Sequence, residues 1–185
     1  MSFRFDETDS QLLIVYTAGE YTAENYRELG RRWVARLERG ARFGVLIVNE
    51  PYKPQKSGEV DHSQQEYEAE EINRLVNAFR RDYRHLSRIN TAGYANVYDP
   101  EASWVISARA QAGKWESWQA VAESRARYMY GTHGGIFIDV QDARQWLKSQ
   151  LLQPPIDLES SHSDLASEST NHVGLYYGSK TGATE

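Results

Sequence analysis

Short apolar runs alternate along the chain with longer segments in which large apolar residues recur every three or four positions. A continuously apolar run predicts a buried strand, and a three-to-four spacing predicts an amphipathic helix. The predicted strands are 2–6, 11–18, 43–48, 89–98 and 136–138, and the predicted helices are 23–39, 64–86, 115–130 and 140–151, whereas 101–114 is ambiguous. This alternation predicts an α/β fold, with a mixed sheet of four or five strands covered by helices.

The character of the sequence changes after residue 151. Two prolines, Pro154 and Pro155, are followed by a stretch rich in serine and acidic residues, with few large apolar groups. Such a stretch buries too little surface to offset its ordering entropy. The sequence therefore predicts an α/β domain over 1–151, a flexible acidic linker over 152–172 and a separate terminal segment over 173–185.

Charge and composition argue against several classes of function. The net charge is −5, but residues 1–150 hold 21 acidic and 20 basic residues, so a broad positive field for nucleic acid is not expected. The arginines at positions 74, 80, 81, 84 and 88 are interpreted as the solvated side of a helix. There is no cysteine, no apolar export signal and no run long enough to cross a membrane. These features predict a cytoplasmic protein without a membrane span.

The order of elements resembles that of the STAS family, whose members are similar to anti-sigma-factor antagonists. The stretch from Gly135 to Leu147, with its Ala143-x-x-Trp146-Leu147 ending, is similar to the family's last strand and the following helix. The resemblance implies a STAS-like fold over about 150 residues and a binding or regulatory role. Regulated members carry a phosphorylatable serine in an Asp-x-Ser-Gly motif, where this chain has Ser57-Gly58 preceded by Lys56. Ser57 is the candidate phosphoacceptor, with a turn residue as the alternative.

The final residues carry a second resemblance. The apolar run 173–177 leads into Gly178-Ser179-Lys180-Thr181-Gly182-Ala183-Thr184, which is similar to the first strand and FMN-phosphate loop of flavodoxins. Hydroxyls of Ser179, Thr181 and Thr184 could donate to phosphate oxygens, and Gly182 would let backbone N–H groups converge on the anion. The rest of a flavodoxin would have to follow Glu185, so we expect no FMN binding by the 185-residue chain itself. Whether this segment is a truncated fusion or a vestigial tail is left open.

Candidate chemistry inside 1–150 is sparse. No histidine lies at metal-ligand spacing with another ligand, and no Gly-x-Ser-x-Gly elbow or Walker-type loop occurs there. His133 before Gly134-Gly135 is the most site-like residue, because two glycines would let a ligand approach the backbone, although a turn is favoured. Trp115 and Trp118 could line a pocket, but their helical spacing favours the core.

Three functions follow from this sequence. The first is a non-enzymatic STAS-like module that binds a protein or a small ligand. The second makes the chain the N-terminal portion of a flavodoxin-like electron-transfer protein that binds FMN once its flavodoxin part is complete. The third, a carrier of apolar ligands, depends only on the abundance of aromatic residues.

Overall fold

A five-stranded mixed sheet with helices on both faces forms the described part of the chain, residues 3–18, 22–51 and 62–156 of a computed structural model. The strands are β1 (Arg4–Asp6), β2 (Leu12–Ala18), β3 (Phe43–Glu50), β4 (Thr91–Val97) and β5 (His133–Phe137). The helices are α1 (Ala23–Glu38), α2 (His62–Asn90), α3 (Ser103–Ala110), α4 (Lys114–Tyr130) and α5 (Val140–Leu151). The predicted α/β class and mixed sheet of four or five strands are confirmed, and the sheet has five.

The strands lie in the sheet in the same order as in the chain, β1-β2-β3-β4-β5. β1 pairs antiparallel with β2, and the remaining neighbours are parallel. Because crossovers between parallel strands are right-handed, a sheet that grows in one direction places all its crossover helices on one face. The helices α1, α2 and α4 cover that face, and α5 returns over the other.

Aromatic side chains fill the core on the face of the crossover helices. Trp33 of α1 stacks on Tyr94 of β4, with ring centroids 5.7 Å apart, and also contacts Phe79 and Tyr130. The buried Trp33 Nε1 donates a 3.0 Å hydrogen bond to Thr91 Oγ1, so this indole loses no polar partner on burial. Burial raises the pKa of Tyr130 to about 12. This cluster joins α1, α2 and α4 to the middle of the sheet.

Glycines let α5 approach the opposite face closely. A Cβ at Gly44 would lie 3.0 Å from the side chains of both Leu12 and Leu147, and one at Gly93 would lie 3.1 Å from Leu147 and Trp146. Leu147 is fully buried there, so the glycines provide the groove that it fills. Asp139 caps the N-terminus of this helix, and its carboxylate accepts hydrogen bonds from the N–H groups of Gln141 and Asp142.

Three segments differ from the sequence prediction. α2 extends to Asn90, the ambiguous region contains α3, and β5 begins at His133 rather than at Ile136. None of the helices in the described ranges is long and apolar enough to cross a membrane. α5 ends at Leu151 and the described chain continues to Ile156, so most of the predicted linker lies outside the described residues.

Candidate functional site

The free edge of β5 is covered by two polar side chains of α4. Gln119 accepts a 2.9 Å hydrogen bond from the Ile136 N–H and donates one of 2.5 Å to the Ile136 carbonyl. One turn later, Glu123 accepts a 2.6 Å hydrogen bond from the Gly134 N–H. The two side chains are four residues apart on one helix face, and their partners are two apart on the strand, so the helix occupies the place of a sixth strand. An uncovered edge would be open to pairing with another chain.

Glu123 is also the centre of the strongest charge cluster at this edge. Its Oε1 lies 2.9 Å from His133 Nδ1 and 2.5 Å from Arg127 Nε. Burial alone would raise the pKa of the Glu123 carboxyl, but the hydrogen bonds from His133, Gly134 and Arg127 lower it from the ordinary 4.5 to about 2. Three donors therefore surround one carboxylate that stays ionised over the physiological range.

The histidine–carboxylate pair has the arrangement in which a carboxylate orients a general base. In the described ranges no hydroxyl or thiol hydrogen bonds to the ring of His133, so the pair has an orienting carboxylate but no nucleophile within reach. The same carboxylate is already engaged by the β5 backbone and by Arg127. The geometry explains the pair as a support for the sheet edge.

The two glycines after His133 do not open a path for a ligand. A Cβ at Gly134 would lie 2.4 Å from the Ala122 carbonyl oxygen and 2.5 Å from the Ala126 Cβ, so the backbone of α4 fills the space above it. Gly134 and Gly135 are buried in β5, and the expected turn is absent because these residues pair with β4. The turn interpretation was therefore wrong. Gly134 is needed for the contact with α4, whereas a Cβ at Gly135 would lie 2.8 Å from the Phe137 ring.

An open cleft of about 440 Å³ lies beside His133. The chain after α5 forms one wall of it through Pro154, Pro155 and Ile156, with Gln150 and Gln153 nearby. A second cleft of about 490 Å³ lies at the opposite edge of the sheet, between the phenylalanines of the β1 region and the polar face of α1. Polar or charged side chains contribute much of the lining of both clefts.

Three aromatic residues meet where α3 contacts α4, and Trp104 is the exposed one among them. Trp104 stacks on Trp118 with ring centroids 4.7 Å apart, and Tyr98 meets the Trp104 ring edge-on at 4.8 Å. Trp104 is 37% exposed, and Val121, one turn after Trp118, is 59% exposed. Trp115 and Trp118 are half-buried and belong to neither core cluster, so their predicted place in the core was wrong. We call Tyr98, Trp104, Trp118 and Val121 the aromatic ridge.

Among the arginines of α2, Arg74 and Arg81 are solvent-exposed as the sequence indicated, whereas Arg80, Arg84 and Arg88 are half-buried. Arg84 donates from Nε to the Tyr128 carbonyl at 2.9 Å and from Nη2 to the Arg127 carbonyl at 3.0 Å, and thereby caps the C-terminus of α4. The Arg80 guanidinium lies 4.6 Å from the centre of the Tyr128 ring. These contacts show that the later turns of α2 hold the C-terminus of α4 in place.

A polar connection lies at the carboxyl end of the central strands, where ligands commonly bind in α/β sheets. Asn49 accepts a 3.3 Å hydrogen bond from the Thr17 hydroxyl and donates one of 2.9 Å to the Val97 carbonyl. Asn49, which belongs to β3, thus connects the two neighbouring strands β2 and β4. Next to it, Glu50 pairs with Arg4 at 3.1 Å. These contacts link β1, β2, β3 and β4 at this end of the sheet.

The residues that the sequence singled out by resemblance lie outside the described residues. Ser57 falls in the gap between β3 and α2, and the flavodoxin-like Ser179, Thr181, Gly182 and Thr184 follow the last described residue. Within the described ranges no group of three or more histidine, aspartate or glutamate side chains could hold a metal ion. The phosphoacceptor and FMN assignments stay predictions.

No family model, curated protein or solved structure matches the chain. The function is therefore argued from the geometry above.

Proposed function

We propose that this chain is a non-enzymatic binding or regulatory module with a STAS-like fold, and that it binds a protein partner through the aromatic ridge. The observation that carries the proposal is the stack of the exposed Trp104 on the half-buried Trp118. Tryptophan and tyrosine are enriched at protein interfaces, where their rings bury large areas at little entropic cost. A monomer gains little from leaving an indole 37% exposed.

The position of the ridge supports a binding role. Tyr98 follows the carboxyl end of β4, so the ridge begins at the sheet edge where α/β proteins commonly bind their ligands. The stacked rings are anchored on two helices, α3 and α4, and are therefore preorganised. A preorganised aromatic surface loses less side-chain entropy when a partner covers it.

The edge cluster supports a non-enzymatic role. Glu123 is held by His133, Arg127 and the Gly134 N–H, and this arrangement stabilises the strand edge without any substrate. We interpret the cluster as structural and place binding at the ridge.

Replacement of Trp104 by alanine tests the proposal. Interface tryptophans typically contribute at least about 2 kcal/mol, so the affinity for a partner should fall about 30-fold. Ile106→Ala is the matched control, because Ile106 is 51% exposed on the same helix but about 200° around its axis from Trp104. Immobilised full-length protein would be compared with both variants for partner capture and for the dissociation constant of the captured partner. Equal affinity for the Trp104 variant and the wild type would refute binding at the ridge.

The FMN alternative has its own test. Titration of the 185-residue chain with FMN by calorimetry should give no measurable heat, since ordering a lone loop costs about 1–2 kcal/mol per residue. Micromolar binding that is lost in Thr181→Ala would instead favour the flavoprotein function. A lipid or other apolar molecule released from purified protein in native mass spectrometry would favour the carrier function over the binding module.

A further inference from the structure

Three arginines of α2 form a stripe without an acidic partner. Arg80, Arg84 and Arg88 follow one another at four-residue steps, so they lie on one side of the helix. None of them forms an ion pair with a carboxylate in the described ranges, although other arginines of α1 and α2 do. Burial lowers the pKa of Arg84, and the charges of Arg80 and Arg88 lower it further. We call these three residues the arginine stripe.

The stripe is half-buried, so part of each guanidinium-bearing side chain can still be reached by an anionic group. The hydrogen bonds of Arg84 to the C-terminus of α4 use its Nε and Nη2, and Arg80 lies over the ring of Tyr128, which is 54% exposed. The carbonyls that Arg84 caps carry only partial negative charge, so the positive charge of the stripe is not neutralised. Among the side chains of this protein, a carboxylate is the best partner for a guanidinium group, because its two oxygens match two parallel N–H donors.

The acidic segment of the same chain begins close to this stripe. Residues 157–172 contain Asp157, Glu159, Asp164 and Glu168 and no lysine or arginine. The last described residue, Ile156, lines the same cleft as His133 at the start of β5. The segment that follows Ile156 therefore carries the negative charges that could pair with the three arginines.

The distance is short enough for contact. Gly131 lies two residues before His133, so about 7 Å of backbone at most separates them. A Cβ at Gly131 would lie 3.1 Å from the Cβ of Arg88, which places the near end of the stripe beside this turn. From Arg88 to Arg80 the helix rises about 12 Å, whereas residues 157–168 could extend to roughly 40 Å. The acidic segment is long enough to follow the whole stripe.

We propose that the acidic segment 157–168 binds the arginine stripe of α2 within the same chain. Exposed ion pairs are weak individually, and a free acidic peptide would bind three arginines poorly. A segment tethered a few residues away has an effective concentration in the millimolar range, which makes the same weak contacts sufficient. This argument favours the chain's own segment over an acidic partner in solution.

Paramagnetic labelling of the full chain tests the proposal. Because the protein has no cysteine, Ser161→Cys provides a single site for a nitroxide in the acidic segment. In low salt, about 20 mM, we expect selective broadening of backbone amides in 80–88 and 127–132. At about 0.5 M salt, where the screening length falls below 5 Å, the broadening should decrease severalfold.

Charge variants provide the controls. Arg80→Gln with Arg88→Gln removes two charges of the stripe but leaves Arg84 to cap α4, so the fold should be retained and the selective broadening lost. Asp157→Asn with Glu159→Gln should weaken it from the other side, in a protein whose folded domain is unchanged. Broadening that is absent at low salt, or unchanged in both variants, would overturn the proposal. A second sample would mix an isotope-enriched chain without a nitroxide with a nitroxide-bearing chain of natural isotope abundance. Broadening in that sample would show that the acidic segment binds the stripe of a second copy, and would overturn the intramolecular proposal.

Discussion

Removal of the Glu123 charge should destabilise the fold in a pH-dependent manner. In Glu123→Gln, an amide replaces a carboxylate that accepts from three donors, Arg127, His133 and the Gly134 N–H. If the amide oxygen faces Arg127 and His133, its NH₂ group meets the Gly134 N–H and leaves a buried donor without a partner. A lost charged hydrogen bond of this kind costs about 1.5–3 kcal/mol.

The pKa of Glu123 gives an independent magnitude. A carboxyl whose pKa falls from 4.5 to about 2 on folding contributes roughly 3 kcal/mol to the free energy of unfolding at neutral pH. Its side chain is 29% exposed, so solvent screening lowers this to about 2–3 kcal/mol. Because the folded pKa is the lower one, the contribution is complete above about pH 4.5 and disappears as the pH falls towards 2.

Urea unfolding at a series of pH values measures both effects. At pH 7 we expect the Glu123→Gln variant to be about 2–3 kcal/mol less stable than the wild type, and the difference should shrink below pH 4.5. Glu70→Gln is the control, since Glu70 is exposed on α2, and it should change stability by less than about 0.5 kcal/mol. A variant as stable as the wild type at pH 7, or a loss that does not depend on pH, would refute the edge-support interpretation.

Other substitutions test neighbouring contacts. Gly134→Ala places a methyl group 2.4 Å from a backbone oxygen of α4 and should cost at least about 3 kcal/mol in urea unfolding, whereas Gly30→Ala, with nothing within 4 Å, should stabilise by about 0.5–1 kcal/mol. Gln119→Leu leaves both polar groups of Ile136 unpaired at the sheet edge, so light scattering should show faster aggregation, unlike Gln111→Leu on the exposed end of α3. Limited proteolysis should cut first within 153–172, and an early cut inside α2 or α4 would contradict the predicted domain boundary.

The elements that could be predicted from the sequence are those whose buried residues form an apolar run or a regular apolar stripe. The apolar runs 12–16 and 43–48 are strands buried on both faces, and the stripe of α1 through Leu29, Trp33 and Leu37 is its buried side. α3 left no such trace, because only Val105 and Ala108 of its eight residues are buried. Hydrophobic periodicity reports burial, so a helix that buries two small side chains gives almost no signal.

The edge cluster could not be predicted from the same information. A glutamine and a glutamate four residues apart on a helix have the spacing of an ordinary surface pair, and α4 carries both at 119 and 123. Their partners are backbone groups of β5, which have no side-chain signature in the sequence. The strand itself starts with His133 and two glycines, residue types that are uncommon in strands. Only the three-dimensional approach of α4 to Gly134 joins these features.

The matching order of strands in chain and sheet has a consequence for synthesis on the ribosome. Each new helix and strand can add beside the previous strand, because every strand of the sheet pairs with the strand before it in the chain. At every stage the most recently added strand has one edge whose backbone N–H and C=O groups are unpaired. α4 leaves the ribosome before β5, so Gln119 and Glu123 are already present when the final strand arrives. The sheet stops growing at the moment when its last strand is placed.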